Sequence, residues 1–140
     1  MREMSEAWRL KRTGTVASPL SDPAEAPRQG DEGAPEAWIV FEPAMLPAFD
    51  GLNVGDDVLV LTWLHLAQRD VLQVHPRSDP ARPVQGVFST RSPSRPNPIG
   101  LHRVRITAIE TDRLGVSNLE AVDGTPVIDV KPVLGGIDER

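Results

Sequence analysis

The densest run of chemistry-bearing side chains is Arg91, Ser92, Pro93, Ser94, Arg95, Pro96, Asn97, Pro98. Three prolines in six residues fix φ and remove backbone donors, so the segment is a stiff loop, excluded from helices and sheet interiors. A pre-shaped loop bearing two guanidinium groups, hydroxyls and an amide can hold a polar ligand at little ordering cost. The same residues also fit a rigid connector with solvated arginines. A second constellation is Asp123, Gly124, Thr125, Pro126, followed by Asp129 and Lys131. Asp-Gly is first of all a turn. Its carboxylate could also accept from a ribose or an amine, or balance a sulfonium charge, whereas Asp129 and Lys131 are spaced to pair on one strand face.

Other chemistries find no support. The chain has no cysteine, which removes disulfides, thiolate metal sites and cysteine nucleophiles. His65, His75 and His102 lack the i, i+4 spacing with an acidic companion that a helical zinc site uses, so no metal is expected. Ser89 or Ser92, His65 and Asp123 make a triad only on paper, because no Gly-x-Ser-x-Gly elbow accompanies them. There is likewise no Gly-x-Gly-x-x-Gly and no Gly-Lys-Ser/Thr phosphate loop, which speaks against a Rossmann-type cofactor site.

The net charge is −5, against the basic balance usual in nucleic-acid binders. Its distribution is uneven. Between Arg69 and Arg105 stand seven arginines and only two acids, Asp70 and Asp79. The segment implies either a local positive face on an acidic protein or arginines scattered over solvated loops. Met1 to Arg12 is charged and has no apolar core, and no stretch approaches the ~20 apolar residues that span a bilayer. The expectation is a soluble cytoplasmic protein with no membrane partner.

The elements that must position these residues are mostly strands. With 140 residues, 14 prolines and 11 glycines, one loop-rich domain is expected. Gly14 to Ser18 reads as a short strand, and Ser21 to Pro35 as a loop without apolar period. Trp38 to Phe41 reads as a strand; Met45, Leu46, Phe49 and Leu52 have approximately helical spacing. Val58 to Leu64, rich in β-branched and aromatic types, has the composition of a buried strand. Further strands are expected at Gly86 to Thr90, Val104 to Ile109, Leu114 to Leu119 and Val127 to Val130. The second and third of these form a hairpin through Thr111, Asp112 and Arg113, and Asp123-Gly124 turns into the last. Short strands at this spacing suggest a barrel or a sandwich.

Taken together, GVFSTRSPSRPNPIGLHRV and LEAVDGTPVIDVKPV resemble the two signature blocks of the TrmO/TsaA-like family, also called YaeB or VirR. Upstream, TGTVASP resembles its first strand, APRQGD its Pro-Arg-Gln loop and VLVLTWLH the strand leading to its histidine. The resemblance covers roughly Thr13 to Pro132. It implies an all-β fold: a small single-sheet β-barrel with short helices and long proline-rich loops over residues 13–134, with an extension at 1–12 and a tail at 135–140. It further implies S-adenosylmethionine as cofactor, a homodimer with the site near the interface, and N6-methylation of threonylcarbamoyladenosine next to the anticodon of tRNA. Carried over by motif, Pro27, Arg28, Gln29, His65, Leu66, Arg91, Leu101, Val122, Asp123, Gly124 and Thr125 line the cofactor pocket. Arg95, Asn97 and Lys131 are assigned to the substrate, Arg95 and Asn97 either facing the nucleic acid or bracing the loop. The acylated N6 is a poor nucleophile, so a base is expected, with Asp123 and His65 the candidates. Two positions depart from the family pattern: Val133 stands where tyrosine is usual and Glu120 where aspartate is usual. The rival functions are methylation of a different acceptor and cofactor binding without catalysis.

Overall fold

A computed structural model describes residues 8–27 and 36–135. Six strands close into an antiparallel barrel, in the order β1 (Gly14–Ala17), β2 (Ala37–Phe41), β7 (Arg113–Ser117), β6 (Ile99–Ile109), β3 (Asp57–Trp63), β8 (Pro126–Pro132) and back to β1. The remaining strands, β4 (Gln73–Val74) and β5 (Gln85–Gly86), pair as a separate two-stranded sheet in the long excursion between β3 and β6. Closure leaves the short strands no unpaired edge. The protein is therefore a small β-barrel with 3-10 turns and proline-rich loops, as its strand spacing suggests.

Alternation builds the interior. Val58, Val60 and Thr62 of β3 point inward with Val104 and Ile106 of β6, Leu114 and Val116 of β7, Ile39 of β2, Val16 of β1 and Val127 of β8; all are essentially inaccessible. Below the barrel, Pro43–Phe49 forms a 3-10 turn whose Met45, Leu46 and Phe49 pack against the core. Phe49 meets Phe41 edge-on at 4.9 Å between ring centroids. Pro43 opens this turn and Pro47, inside it, removes an interior donor, so the apolar spacing makes a 3-10 plug rather than an α-helix. β3 starts at this plugged end and runs to the other, where Trp63 pairs with Ile99.

Besides the unexpected β4 and shifts of one or two residues at other strand ends, three elements differ from the sequence expectation. Gly86 to Thr90 is not a strand: after β5, Val87–Ser89 forms one 3-10 turn. Ser89 Oγ donates to Gly86 O and Thr90 Oγ1 to Val87 O, local bonds that draw the backbone out of a ladder. β6 begins at Ile99, five residues before the expected Val104, because its first inward positions are Gly100 and His102, which break the apolar signal without breaking the register. Leu119, expected at the end of β7, lies beyond Ser117 after Asn118 adopts a positive φ of 61°, yet remains buried. The expected β6–β7 hairpin is formed, with Glu110 N donating to Arg113 O at 2.9 Å across its turn.

Candidate functional site

At the end of the barrel away from the plug, the excursion 64–98 folds over β6 and the segment 118–125 to enclose a cleft of about 820 Å³. That volume accommodates a nucleoside-sized ligand. The excursion is fastened to itself. Leu64 N donates to Pro98 O at 2.8 Å and Arg95 N to Gln68 O at 3.0 Å. Arg69 stacks over Trp63 at 5.0 Å, and its guanidinium donates to Pro96 O at 2.9 Å and Asn97 Oδ1 at 3.2 Å. The proline loop is thereby clipped to the end of β3.

Of the residues assigned from the sequence, Pro27, His65, Leu66, Arg91, Leu101, Val122 and Thr125 line this one cleft, as does Arg95. Arg28 and Gln29 lie outside the described residues. Asp123 and Gly124 are not in the lining. Asp123 Oδ1 instead accepts from Ser18 N at 3.0 Å, and its amide donates to Leu20 O. Gly124, at φ +83°, donates to Val16 O at 2.8 Å. The Asp-Gly pair is thus a turn that ties the segment before β8 to β1 and sets Val122 and Thr125 on the cleft wall. Thr125 is buried, its hydroxyl donating to Val122 O at 2.7 Å.

Arg95 turns its fork inward. Nη1 donates to Thr90 O at 3.0 Å and Ser92 O at 3.1 Å, and Nη2 donates to Val87 O. One planar guanidinium gathering three carbonyls is a brace. Asn97 is the acceptor for Arg69, and Lys131 pairs with Asp129 at 3.0 Å, the partnership their spacing implied. Neither Asn97 nor Lys131 is in the cleft lining.

A buried polar chain was not recognised from the sequence. Thr62 Oγ1 lies 2.7 Å from His102 Nε2, and His102 Nδ1 contacts Glu120 Oε1. His102 is 4% exposed and Glu120 15% exposed, and both line the cleft. A carboxylate only accepts, so Nδ1 carries the proton between them. Gly100 makes room: a Cβ there would fall 2.7 Å from His102 Nε2 and closer still to Thr62 Oγ1. Strand parity was the available signal, since positions 100, 102, 104 and 106 share a face with Val104 and Ile106.

The electrostatics of the cleft are lopsided. Arg77, Arg82, Arg91, Arg95 and Arg103 line it, while Glu120 is the only carboxylate among the described lining residues. Arg82 is partly neutralised by Asp79 at 3.7 Å, and Arg103 by Asp57 at 3.3 Å. On the outer face of β6, Arg105 and Arg103 hold the Asp57 carboxyl below its ordinary pKa, the hydrogen bond from Arg105 being the larger cause.

The sequence matches the model of the tRNA-methyltransferase O N-terminal domain over residues 15–139. The chain belongs to the TrmO N-terminal domain family. A probable S-adenosyl-L-methionine-binding protein of Methanothermobacter thermautotrophicus is 45% identical over 130 residues, covering 93% of each chain. An S-adenosyl-L-methionine-binding protein of Archaeoglobus fulgidus is 44% identical over 134 residues, covering 92% of this chain and 91% of that one. The crystal structure of TrmO from Pseudomonas aeruginosa superposes with a TM-score of 0.76 at 28% identity. That alignment covers 94% of this chain but 58% of the TrmO chain, so the present protein spans little more than half of that relative.

Proposed function

We propose that this protein is an S-adenosylmethionine-dependent tRNA methyltransferase that N6-methylates threonylcarbamoyladenosine beside the anticodon. The observation that carries the reading is the convergence of seven motif-assigned cofactor residues on one arginine-rich cleft, in a chain whose relatives are named for S-adenosylmethionine binding. The lining fits such a cofactor: Leu64, Leu66, Leu101 and Val122 offer apolar surface to an adenine ring, and Thr125, His65 and Glu120 offer polar groups to its tail.

When bound, S-adenosylmethionine supplies a methyl group activated by the sulfonium centre. The residues need only align an acceptor and manage one proton. Pro27, Leu66, Leu101, Val122 and Thr125 shape the cofactor wall, with the Asp123-Gly124 turn fixing the last two. Arg91, exposed on the lining, belongs to the cofactor set and its guanidinium also suits bidentate hydrogen bonds to phosphates, while Arg95 holds the loop that presents it. His65, exposed on the lining, is the proposed base for the acceptor proton. Asp123 is held in its turn and is proposed as part of the scaffold. Leu66, Leu72, Val84 and Phe88 leave apolar side chains exposed on the excursion, Phe88 at 88%, which supports pairing of two copies at this end.

The test is a calorimetric titration with S-adenosylmethionine, followed by methyl transfer to total tRNA. The expected result is saturable binding by the wild type and transfer lowered by about tenfold in Arg91→Ala, the size of a lost charge-assisted phosphate contact. Unchanged transfer in that variant contradicts the placement of the loop.

A further inference from the structure

The cleft presents a cationic cofactor with a difficulty: arginines predominate in its lining, Arg82 and Arg103 being partly offset by Asp79 and Asp57 outside it, and Glu120 is the only carboxylate among the described lining residues. A sulfonium entering such a site is repelled unless a negative group stands close, because like charges interact strongly where water is thinned. The sequence had offered Asp123 for that duty, yet Asp123 lies outside the lining and accepts from Ser18 N. We infer that Glu120 is the group that compensates the positive sulfur of the bound cofactor, and that His102 and Thr62 are positioning residues that hold its carboxylate. This rests on the cofactor assignment proposed above, and not on the identity of the methyl acceptor.

The geometry separates two ends of the Glu120 carboxylate. Oε1 accepts from the buried His102 ring, and the far nitrogen of that ring is met by the Thr62 hydroxyl at 2.7 Å. Among the described residues Oε2 has no hydrogen-bond partner, so one oxygen is anchored and the other remains for a ligand. The anchor is built into the barrel wall: Thr62 belongs to β3, His102 to β6, and Gly100 leaves the space between them. A carboxylate on the short 118–125 segment thus inherits the rigidity of two paired strands, and meets its ligand without reorganising. Glu120 lines the same cleft as Leu101 and Val122, both assigned to the cofactor wall, and stands two residues before Val122, while its anchor His102 follows Leu101.

S-adenosylmethionine and S-adenosylhomocysteine share their adenosine, ammonium and carboxylate groups and differ in the charged sulfonium against a neutral thioether. The ratio of their dissociation constants therefore isolates the sulfur charge. Titrating the full chain with each ligand separately, without tRNA, we expect Glu120→Gln to weaken S-adenosylmethionine about tenfold or more relative to S-adenosylhomocysteine, as loss of one charge-assisted contact does. Glu120→Asp, which keeps the charge, should hold the ratio within about threefold of wild type. His102→Asn should shift the ratio in the direction of Glu120→Gln, while S-adenosylhomocysteine affinity and circular dichroism report an intact fold. Equal weakening of both ligands in Glu120→Gln would mean that the carboxylate binds a shared group such as the ribose, and overturns the inference. So does an unchanged ratio, or a ratio lost as fully in Glu120→Asp. A wild-type ratio in His102→Asn overturns the positioning role. Binding of neither ligand by the wild type is a different result, and removes the cofactor reading itself.

Discussion

The two ends of strand β6 face the same barrel interior but are made of different material. Toward the plug, Val104 and Ile106 are packed among Val58, Val60, Leu114 and Val116, a dry apolar layer. Toward the cleft, the same inward face carries Gly100 and His102, and the neighbouring strand supplies Thr62. One end is fixed by burial and interdigitation, the other by hydrogen bonds that need correct partners. The contrast separates two tasks: the apolar half holds the strands in register, and the polar half uses that register to aim side chains into the cleft.

The comparison breaks most visibly at the dry end. Ile106→Ala, at a fully buried position, is expected to cost ~2–5 kcal/mol of unfolding free energy in chemical denaturation, from lost transfer energy and the cavity left behind. At the wet end, Gly100→Ala forces a methyl group against Thr62 and His102. A cost of ~1–3 kcal/mol is expected, and here the S-adenosylmethionine preference should fall as well, which separates it from the Ile106 variant. Retained preference in Gly100→Ala would erase the distinction between the two ends.

Legibility followed the same division. β3 was readable because Val58 to Trp63 is rich in β-branched and aromatic types, and β2 because the apolar run Trp38 to Phe41 is stopped by Pro43. The start of β6 was not, since glycine and histidine at inward positions carry no apolar signal, and with them the Thr62–His102–Glu120 chain stayed hidden. The proline loop was legible as stiff. Its arginines were not legible as to partner: Arg95 folds back on three carbonyls of its own loop, and Arg69 reaches Pro96 and Asn97 from 27 and 28 residues away, choices that no periodicity encodes. The Asp-Gly turn was read correctly as a turn, and the sulfonium-balancing role also offered for its carboxylate is the one proposed above for Glu120, three positions earlier.

Smaller effects sharpen the picture. Arg95→Lys keeps the charge and loses the fork, so the loop loses up to two of its carbonyl contacts. A destabilisation of about 1–2 kcal/mol is expected, with a larger rise in protease sensitivity near residues 90–96 than in the barrel. The smallest change is Asp57→Asn on the exposed side of the barrel. Because Arg105 and Arg103 depress the Asp57 pKa, its contribution is present above the ordinary carboxylate value of ~3.9 and is lost as pH falls from there through the depressed one. Thermal melts of wild type and Asp57→Asn should therefore differ slightly at neutral pH and converge in strong acid; a gap that persists there would assign the effect to packing.

The most direct test is methyl transfer itself. Purified protein is incubated with labelled S-adenosylmethionine and total tRNA, and the digested nucleosides are resolved by mass spectrometry. The expected result is a single new nucleoside, threonylcarbamoyladenosine carrying one additional methyl group at N6. Cofactor bound with no label in tRNA, or label on a different nucleoside, would contradict the proposed reaction.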